Sequence, residues 1–295
     1  MKKIVFFVFS AVFIWCSFSC KTQKKDELLN ITNIENNKYS CTWDDVAHEF
    51  IIELPEHVKN APLVLLLTGL NITAENMKHD VGFEKEACAR GYAVVYVKGS
   101  VQKGQKGSGV GWNCGMYLDG NDDIGFLVAL AEYLQKEYGF DKKRTFAAGF
   151  SNGGFMMHRL AMEGQKTFRA CVSVAGRMTS LVWKNSNKKN KVGFFQISGE
   201  KDDIVPKNSD GSARHTVDPA IEDVVDYWAG SNGLTVVEEE EIAGGSSLTK
   251  WSSKGASAKG QVWHLFVKDG RHSWPNVRMN GIDANTMILD FFDCF

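Results

Sequence analysis

The sequence lacks an excess of charge of either sign. Its 295 residues include 34 lysines and arginines against 35 aspartates and glutamates, which gives a formal net charge of −1. A broad basic surface for a polyanion is therefore not predicted. The short basic cluster KKNK at 188–191 is typical of a solvated face. These observations argue against nucleic acid as a partner.

The sequence also lacks internal repeats and metal-binding motifs. No pair among its seven cysteines has the spacing of metal ligands. We predict neither a metal nor another cofactor. Five cysteines follow the N-terminal apolar region, and this odd number leaves at least one thiol free. Cys88 and Cys171 lie in apolar stretches and are predicted to be small core residues. Any disulfide would draw on the other three, which are Cys41, Cys114 and Cys294.

The most apolar run is at the N-terminus, where MKK precedes IVFFVFSAVFIWCSF. This pattern is typical of a secretory signal and is too short to favour a membrane span. Ser19 before Cys20 resembles a bacterial lipoprotein cleavage site, although Phe18 departs from the common pattern. We predict a signal over residues 1–19 and export as an envelope lipoprotein, with a lipid at Cys20 as its only membrane contact. Ordinary cleavage and secretion is the alternative.

Downstream of this region, strand and helix patterns alternate. Residues 21–38 are polar, so 20–45 are predicted to be a tether, and 46–295 are predicted to form one domain. Apolar runs such as 62–69 are typical of strands buried on both faces, so we predict an α/β fold whose mostly parallel sheet is covered by helices on both faces. The glycine-rich segment 100–121 is predicted to be an irregular insertion, and 234–260 an exposed hairpin.

Ser151 lies in a pattern that favours a nucleophile. The sequence Gly149-Phe150-Ser151-Asn152-Gly153 fits G-x-S-x-G, between a short apolar strand and a helical pattern. A strand, a sharp turn and a helix are the context of a nucleophile elbow, in which flanking glycines avoid steric clashes. The alternative is an ordinary glycine-rich turn.

An acid and a histidine follow later strands in the order that a triad needs. The strand FFQIS is followed by Asp202, and the strand VWHLFV by His272. Working groups of open α/β sheets lie beyond the carboxyl ends of strands, so we predict that both reach Ser151. Asp203 competes with Asp202 but is less favoured. Other histidines lack this context or lie inside an element, among them His48, His79, His158, His215 and His264.

An oxyanion hole needs two backbone N–H donors. We predict the N–H of Asn152, directly after the nucleophile, and that of Leu70 or Asn71, after the strand VLLLTG. Aromatic residues near these loops would line a substrate groove or simply pack in the core. These residues are Trp112, Tyr117 and Trp274.

With these residues in place, the chain resembles the polyhydroxybutyrate depolymerase-like esterases, which include feruloyl and acetylxylan esterases of carbohydrate esterase family 1. The matching motifs are LLLTGLN, GWNCG, DDIGFLVAL, FAAGFSNGGFMMHRLA, SGEKDDIVP, YWAGSNG and GRHSWPN, and the resemblance covers about residues 60–294. It implies an α/β-hydrolase catalytic domain and a triad of Ser151, Asp202 and His272. Three positions depart from the family pattern near the site: Thr68, Ser198 and Arg271.

The resemblance implies a serine esterase that hydrolyses feruloyl or acetyl esters on plant polysaccharide. A polyester depolymerase or a peptidase using the same triad remains an alternative, because a long aromatic insertion would suit any extended substrate. A surface binding protein that retains the fold without catalysis is a third hypothesis, which the intact set of Ser, His and Asp argues against.

Overall fold

A computed structural model of the chain describes residues 27–103, 109–116, 119–164, 166–186, 191–206, 218–253 and 261–295. Its strands are β1 Leu29–Glu35, β2 Lys38–Trp43, β3 Val46–Glu53, β4 Leu63–Leu67, β5 Ala93–Val97, β6 Ser100–Val101, β7 Val110–Gly111, β8 Thr145–Phe150, β9 Ala170–Val174, β10 Gly193–Gly199, β11 Val236–Ile242, β12 Ser246–Ser252 and β13 Val262–Val267. Its α-helices are α1 Ala74–Val81, α2 Phe83–Ala89, α3 Asp123–Tyr138, α4 Asn152–Glu163, α5 Ser180–Lys184, α6 Ile221–Asn232, α7 Val277–Asn280 and α8 Ala284–Phe292.

One large sheet organises these elements. Its strand order is β1-β2-β3-β5-β4-β8-β9-β10-β13-β12-β11, and β6 and β7 form a separate two-stranded ribbon. The centre from β5 to β13 is parallel, whereas β1–β3 on one side and β11–β12 on the other are antiparallel. The predicted α/β fold is therefore confirmed, with its parallel character concentrated in the middle of the sheet.

The central strands are apolar along their whole length because both faces of the sheet are covered. In β4, Leu63, Leu65 and Leu67 pack on one side with α3, α4 and α6. Val64 and Leu66 pack on the other side with α1, α2 and α8. All five side chains are fully buried. Parallel strands with helical connections give this two-sided burial, and it places the carboxyl ends of β8, β10 and β13 at the same edge.

The predicted tether is wrong for its second half. Residues 29–43 form β1 and β2, which extend the sheet beyond β3 in antiparallel pairing. Cys41 and Trp43 of β2 are buried in the core, whereas β1 is an almost fully exposed edge strand. An edge strand is held by backbone hydrogen bonds and can be polar throughout, so its composition does not distinguish it from a linker. Residues 1–26, which include the predicted signal and Cys20, lie outside the described residues.

The predicted exposed hairpin is present where the chain is described, whereas the segment predicted as an irregular insertion contains the paired short strands β6 and β7. Residues 236–252 form the hairpin of β11 and β12, and β12 also pairs with β13, which ties it to the main sheet.

All five described cysteines carry free thiols. Cys171 is fully buried, as predicted, but Cys88 is only partly buried. Among the described residues, no helix is long and apolar enough to cross a membrane.

A buried histidine beneath the sheet gives a test of this core. The ring of His158 on α4 stacks on Phe194 at 4.6 Å between centroids and is 1% exposed. The side chain of Gln196 lies close enough to the ring to oppose the effect of burial only in part. Burial lowers the pKa of His158 from 6.5 to about 3 because the cation cannot be solvated there.

We therefore expect His158 to weaken the fold in acid. Below pH 6.5 the unfolded chain takes up a proton that the native state accepts only near pH 3. The free energy of unfolding should fall with decreasing pH by about 1.4 kcal/mol per unit from this group. In denaturant titrations, His158→Phe should reduce the slope of unfolding free energy against pH by the contribution of one proton. The difference in unfolding free energy between the wild type and His158→Phe near pH 8 measures the change in packing alone. An unchanged slope would contradict the prediction.

Candidate active site

Ser151 lies at the carboxyl end of β8, immediately before α4. Its backbone has φ 53° and ψ −116°, a conformation that costs free energy for any residue with a side chain. A Cβ atom at Gly149 would collide with the carbonyl of Gly153, and one at Gly153 would lie 2.5 Å from the carbonyl oxygen of Leu67. The Ser151 N–H donates to the carbonyl of Val174 at 2.9 Å, which holds the turn against β9. These contacts explain the glycines of the motif.

His272 reaches this serine from the loop after β13. Its Nε2 lies 2.8 Å from Ser151 Oγ, and its Nδ1 lies 2.8 Å from Asp202 Oδ2. A carboxylate can only accept, so the Nδ1–H donates to Asp202, and Nε2 is left to accept the serine proton. The His272 side chain is 11% exposed and packs beside the ring of Phe150 at 5.1 Å. The three predicted residues thus form one hydrogen-bonded chain.

Asp202 is held rigidly in the turn after β10. Its Oδ1 accepts the backbone N–H groups of Ile204 at 3.0 Å and Val205 at 2.8 Å, while its other oxygen serves the histidine. The side chain is 2% exposed, whereas Asp203 points to solvent and takes no part in the chain. The structure therefore favours Asp202 over its neighbour, as the sequence does.

The loops that carry Asp202 and His272 are tied together. The Lys201 N–H donates to the carbonyl of Gly270 at 2.7 Å, and its ammonium pairs with Asp269. The two loops lie so close together that a Cβ atom at Gly199 would be 2.5 Å from the Gly270 carbonyl oxygen. Acid and base therefore belong to one rigid unit, which docks on the serine turn.

The three positions that depart from the family pattern do not contribute to the hydrogen-bonded chain. Thr68 and Ser198 are buried. The Thr68 Oγ1 accepts the Gly99 N–H at 3.4 Å, and the Ser198 Oγ accepts from the Gln196 amide at 3.3 Å. Arg271 is exposed beside His272. Only Arg271 therefore lies where it can meet a ligand from solution.

The candidate oxyanion donors lie on either side of Ser151. Neither the Leu70 N–H nor the Asn152 N–H donates to another described residue, so both are available for a ligand. The Asn71 N–H is already used, because it donates to the carbonyl of Val110 at 2.8 Å. Of the two alternatives after β4, the structure thus favours Leu70, whose side chain is 51% exposed at the mouth of the site.

Two of the predicted substrate contacts are wrong. Trp112 is fully buried and donates its Nε1–H to the Thr68 carbonyl at 2.9 Å. Trp274 is 9% exposed, and its Nε1–H donates to Asn285 Oδ1 at 2.9 Å. Both indoles are thus part of the packed core, where their polar edges have protein partners. Tyr117 lies outside the described residues.

Sequence reasoning missed a polar network around the insertion. The side chains of Asn71 and Asn152 bond the backbone of residues 110–112. The Oδ2 of Asp123, a fully buried residue, accepts the N–H of Asn113 at 2.6 Å and the amide of Gln102 at 3.0 Å. These partners are about 10 to 40 residues apart in sequence, so no local pattern could have indicated them.

Solved structures share this architecture. The acetyl xylan esterase from Aspergillus awamori superposes with a TM-score of 0.57 at 13% identity, covering 84% of this chain and 94% of that one. The chain has the α/β-hydrolase fold. Residues 82–190, less than half of this α/β-hydrolase, also match the prolyl oligopeptidase family. That range includes Ser151 but neither Asp202 nor His272.

Curated relatives of this α/β-hydrolase carry esterase names. The protein named putative esterase NocK, of Nocardia uniformis subsp. tsuyamanensis, is 26% identical over 242 residues, 75% of this chain and 67% of NocK. Feruloyl esterase C of Emericella nidulans is 24% identical over 165 residues, 54% of this chain and 56% of that enzyme. The chain thus spans about half the length of that relative. These similarities confirm the predicted class, a carboxylic ester hydrolase.

Proposed function

We propose that the protein hydrolyses carboxylic esters through an acyl-enzyme on Ser151. The observation that carries this proposal is the unbroken hydrogen-bonded chain from Ser151 through His272 to Asp202, with 2.8 Å at each step. In the first step Ser151 Oγ attacks the ester carbonyl carbon while His272 Nε2 takes the hydroxyl proton. Asp202 holds the imidazole in the useful tautomer and stabilises its positive charge.

The tetrahedral intermediate then breaks down. His272 gives its proton to the leaving alkoxide, the alcohol departs, and the acyl group remains on Ser151. A water molecule attacks the acyl carbon while Nε2 takes its proton, and collapse returns that proton to Ser151 Oγ. In both steps the N–H groups of Leu70 and Asn152 would stabilise the negative charge on the carbonyl oxygen.

The proposed substrates are feruloyl or acetyl esters on plant polysaccharide. This choice is supported by the names of relatives, which include a bifunctional acetylxylan esterase/xylanase of Neocallimastix patriciarum and the feruloyl esterases. The structure supports an accessible site, because Leu70 and Arg271 are exposed beside the serine and histidine loops.

Release of ferulate from methyl ferulate, measured beside release of acetate from p-nitrophenyl acetate and acetylated xylan, tests this assignment. Turnover of methyl ferulate would support the feruloyl substrate. Turnover of the acetyl esters alone would favour acetylxylan and exclude the feruloyl assignment. Failure with all three esters, in a protein whose Ser151 still reacts with a fluorophosphonate probe, would direct the search to polyhydroxybutyrate.

Peptide hydrolysis is the second candidate, and one observation favours it. The match to the prolyl oligopeptidase family covers the serine elbow and the helix that follows it. The same triad cleaves amides by the same two steps. A chromogenic peptide anilide assayed at the enzyme concentration used for the esters distinguishes the two, since an esterase should turn over the esters far faster.

The N-terminal sequence supports a place at the cell envelope. Residues 1–20 carry the signal pattern and the cysteine of a lipoprotein cleavage site, and they lie outside the described residues. We expect wild-type cells fed with labelled palmitate to incorporate the label into this protein. Cys20→Ala should abolish incorporation, whereas Cys16→Ala should not, because that cysteine would be removed with the signal. Equal labelling of both variants would contradict lipidation at Cys20.

A further inference from the structure

A short segment of the insertion bridges the two turns that carry the candidate oxyanion donors. Residues 110–112, here called the strap, run from the turn after β4 to the serine elbow. At one end, the Asn71 N–H donates to the Val110 carbonyl at 2.8 Å, and Asn71 Oδ1 accepts the Val110 N–H at 2.8 Å. At the other, Asn152 Oδ1 accepts the Trp112 N–H at 2.6 Å. Each turn is therefore bonded to the strap directly beside, or on, its donor residue.

The centre of the strap fits closely between the same two turns. A Cβ atom at Gly111 would lie 2.7 Å from Asn152 Oδ1 and 2.9 Å from Leu70 Cδ1. A side chain there would have to displace the ends of the Asn152 and Leu70 side chains from the strap. The absence of a side chain at Gly111 thus allows the strap to contact Leu70 and Asn152 at once, as a segment that sets the distance between them must do.

We propose that Asn71 and Asn152 are positioning residues, whose side chains hold the strap so that it fixes the distance between the Leu70 and Asn152 N–H groups. This inference rests on the proposed function, because it assigns a role within the same oxyanion hole. Neither side chain needs to touch the reacting atoms. Each acts through the strap on the direction of a backbone donor.

The strap is itself anchored from behind. Gln102 Nε2 donates to the Gly111 carbonyl at 2.9 Å and to Asp123 Oδ2 at 3.0 Å, while the Asn113 N–H donates to the same carboxylate oxygen at 2.6 Å. The indole of Trp112 is fixed by its bond to the Thr68 carbonyl, directly before the first turn. Four hydrogen bonds and full burial of Trp112 and Asp123 thus keep the strap in one place. A rigid support is required if the strap is to transmit a fixed spacing.

Donor spacing should affect the transition state more than substrate binding. The oxyanion forms only when the carbonyl becomes tetrahedral, so a donor that is displaced by part of an ångström weakens that state while the neutral ester binds as before. Loss of a positioning side chain should therefore lower kcat with little change in KM. A residue with a merely structural role would lower the amount of folded protein instead and leave kcat per active site unchanged.

Asn71→Gly is the sharpest single test. Asn71 has φ 59°, a backbone conformation that glycine adopts without strain. The substitution therefore removes the side-chain acceptor and leaves the backbone conformation of the turn accessible. We expect kcat for p-nitrophenyl acetate, per fluorophosphonate-titrated site, to fall on the order of 10- to 100-fold with KM within about two-fold. Asn60→Gly is the matched control, an exposed asparagine with φ 62° in a distant loop, and it should keep wild-type kcat.

Rescue and coupling distinguish positioning from damage. Asn71→Asp retains the acceptor for the Val110 N–H and should recover most of the lost kcat. Asn152→Ala should show the same loss in kcat, and the double variant Asn71→Gly/Asn152→Ala should lose less than the product of the single losses, because both act through one strap. The inhibition constant of butaneboronic acid, which forms a tetrahedral adduct, should rise in parallel with the loss of kcat.

The outcomes separate this inference from the proposed function. If the wild type does not hydrolyse esters, or Ser151→Ala retains the activity, the proposed function fails. If the wild type is active and Asn71→Gly and Asn152→Ala both keep kcat within about two-fold, like Asn60→Gly, the strap does not set the oxyanion hole and the inference is overturned. A rise in KM with unchanged kcat would also overturn it.

Discussion

Ser151→Ala is expected to lower kcat for p-nitrophenyl acetate by about 10⁶-fold, the loss seen when the nucleophile of a triad is removed. The serine oxygen is the only atom within hydrogen-bond distance of His272 Nε2 among the described residues, so no described group can replace it as the attacking atom. Residual hydrolysis would come from the remaining oxyanion donors acting on bound ester. Initial rates over several hours at high enzyme concentration would measure it.

The control for this variant is a second serine. Ser186→Ala changes a partly buried serine just after α5 that takes no part in the hydrogen-bonded chain of the triad, and it should retain wild-type kcat. Ser151→Ala should also lose labelling by a fluorophosphonate, whereas its thermal midpoint should stay close to wild type. If Ser151→Ala hydrolyses esters within ten-fold of the wild-type rate, the acyl-enzyme mechanism on this residue is wrong.

The parts of the site that follow from strand ends could be predicted from sequence. Ser151, Asp202 and His272 each come just after a run of apolar residues, and parallel strands bring such positions to one edge of the sheet. The glycines around Ser151 are dictated by the elbow itself, where a Cβ at either would meet backbone atoms. Local pattern and sheet topology are therefore sufficient to bring these three side chains together.

The features that sequence analysis missed depend on contacts between distant residues. Trp112 and Trp274 are large aromatics near loops, and only the structure shows that the indole N–H of each is used inside the core. The pairing of Asn152 with Trp112 spans 40 residues and leaves no periodic pattern. Strand β1 has the composition of a linker because an edge strand needs no apolar face. Each of these errors concerns which residues contact one another in the fold, not the helix or strand propensity of a segment.

Asp202→Asn should lower kcat by about 10⁴-fold while leaving the fold intact. The amide oxygen can still accept the N–H groups of Ile204 and Val205, which hold the turn. Its NH₂ would then face His272 Nδ1 and donate to it, so the ring proton moves to Nε2. A protonated Nε2 can no longer accept the proton of Ser151, and the imidazolium also loses its carboxylate partner. Removing one carboxylate charge thus disables the base without removing any atom that holds the turn.

The neighbouring acid supplies the matched control for that prediction. Asp203→Asn removes the same charge one residue further along, from a side chain that is exposed and lies outside the triad. It should keep kcat within about two-fold, as surface substitutions usually do. We would measure kcat per titrated site for both variants and use thermal midpoints to check folding. The comparison separates the orientation of His272 by its hydrogen bond from the effect of a nearby negative charge. If Asp203→Asn loses the activity and Asp202→Asn keeps it, the acid has been assigned to the wrong residue. Equal losses in both would show that the rate depends on the local charge rather than on the hydrogen bond from His272 Nδ1.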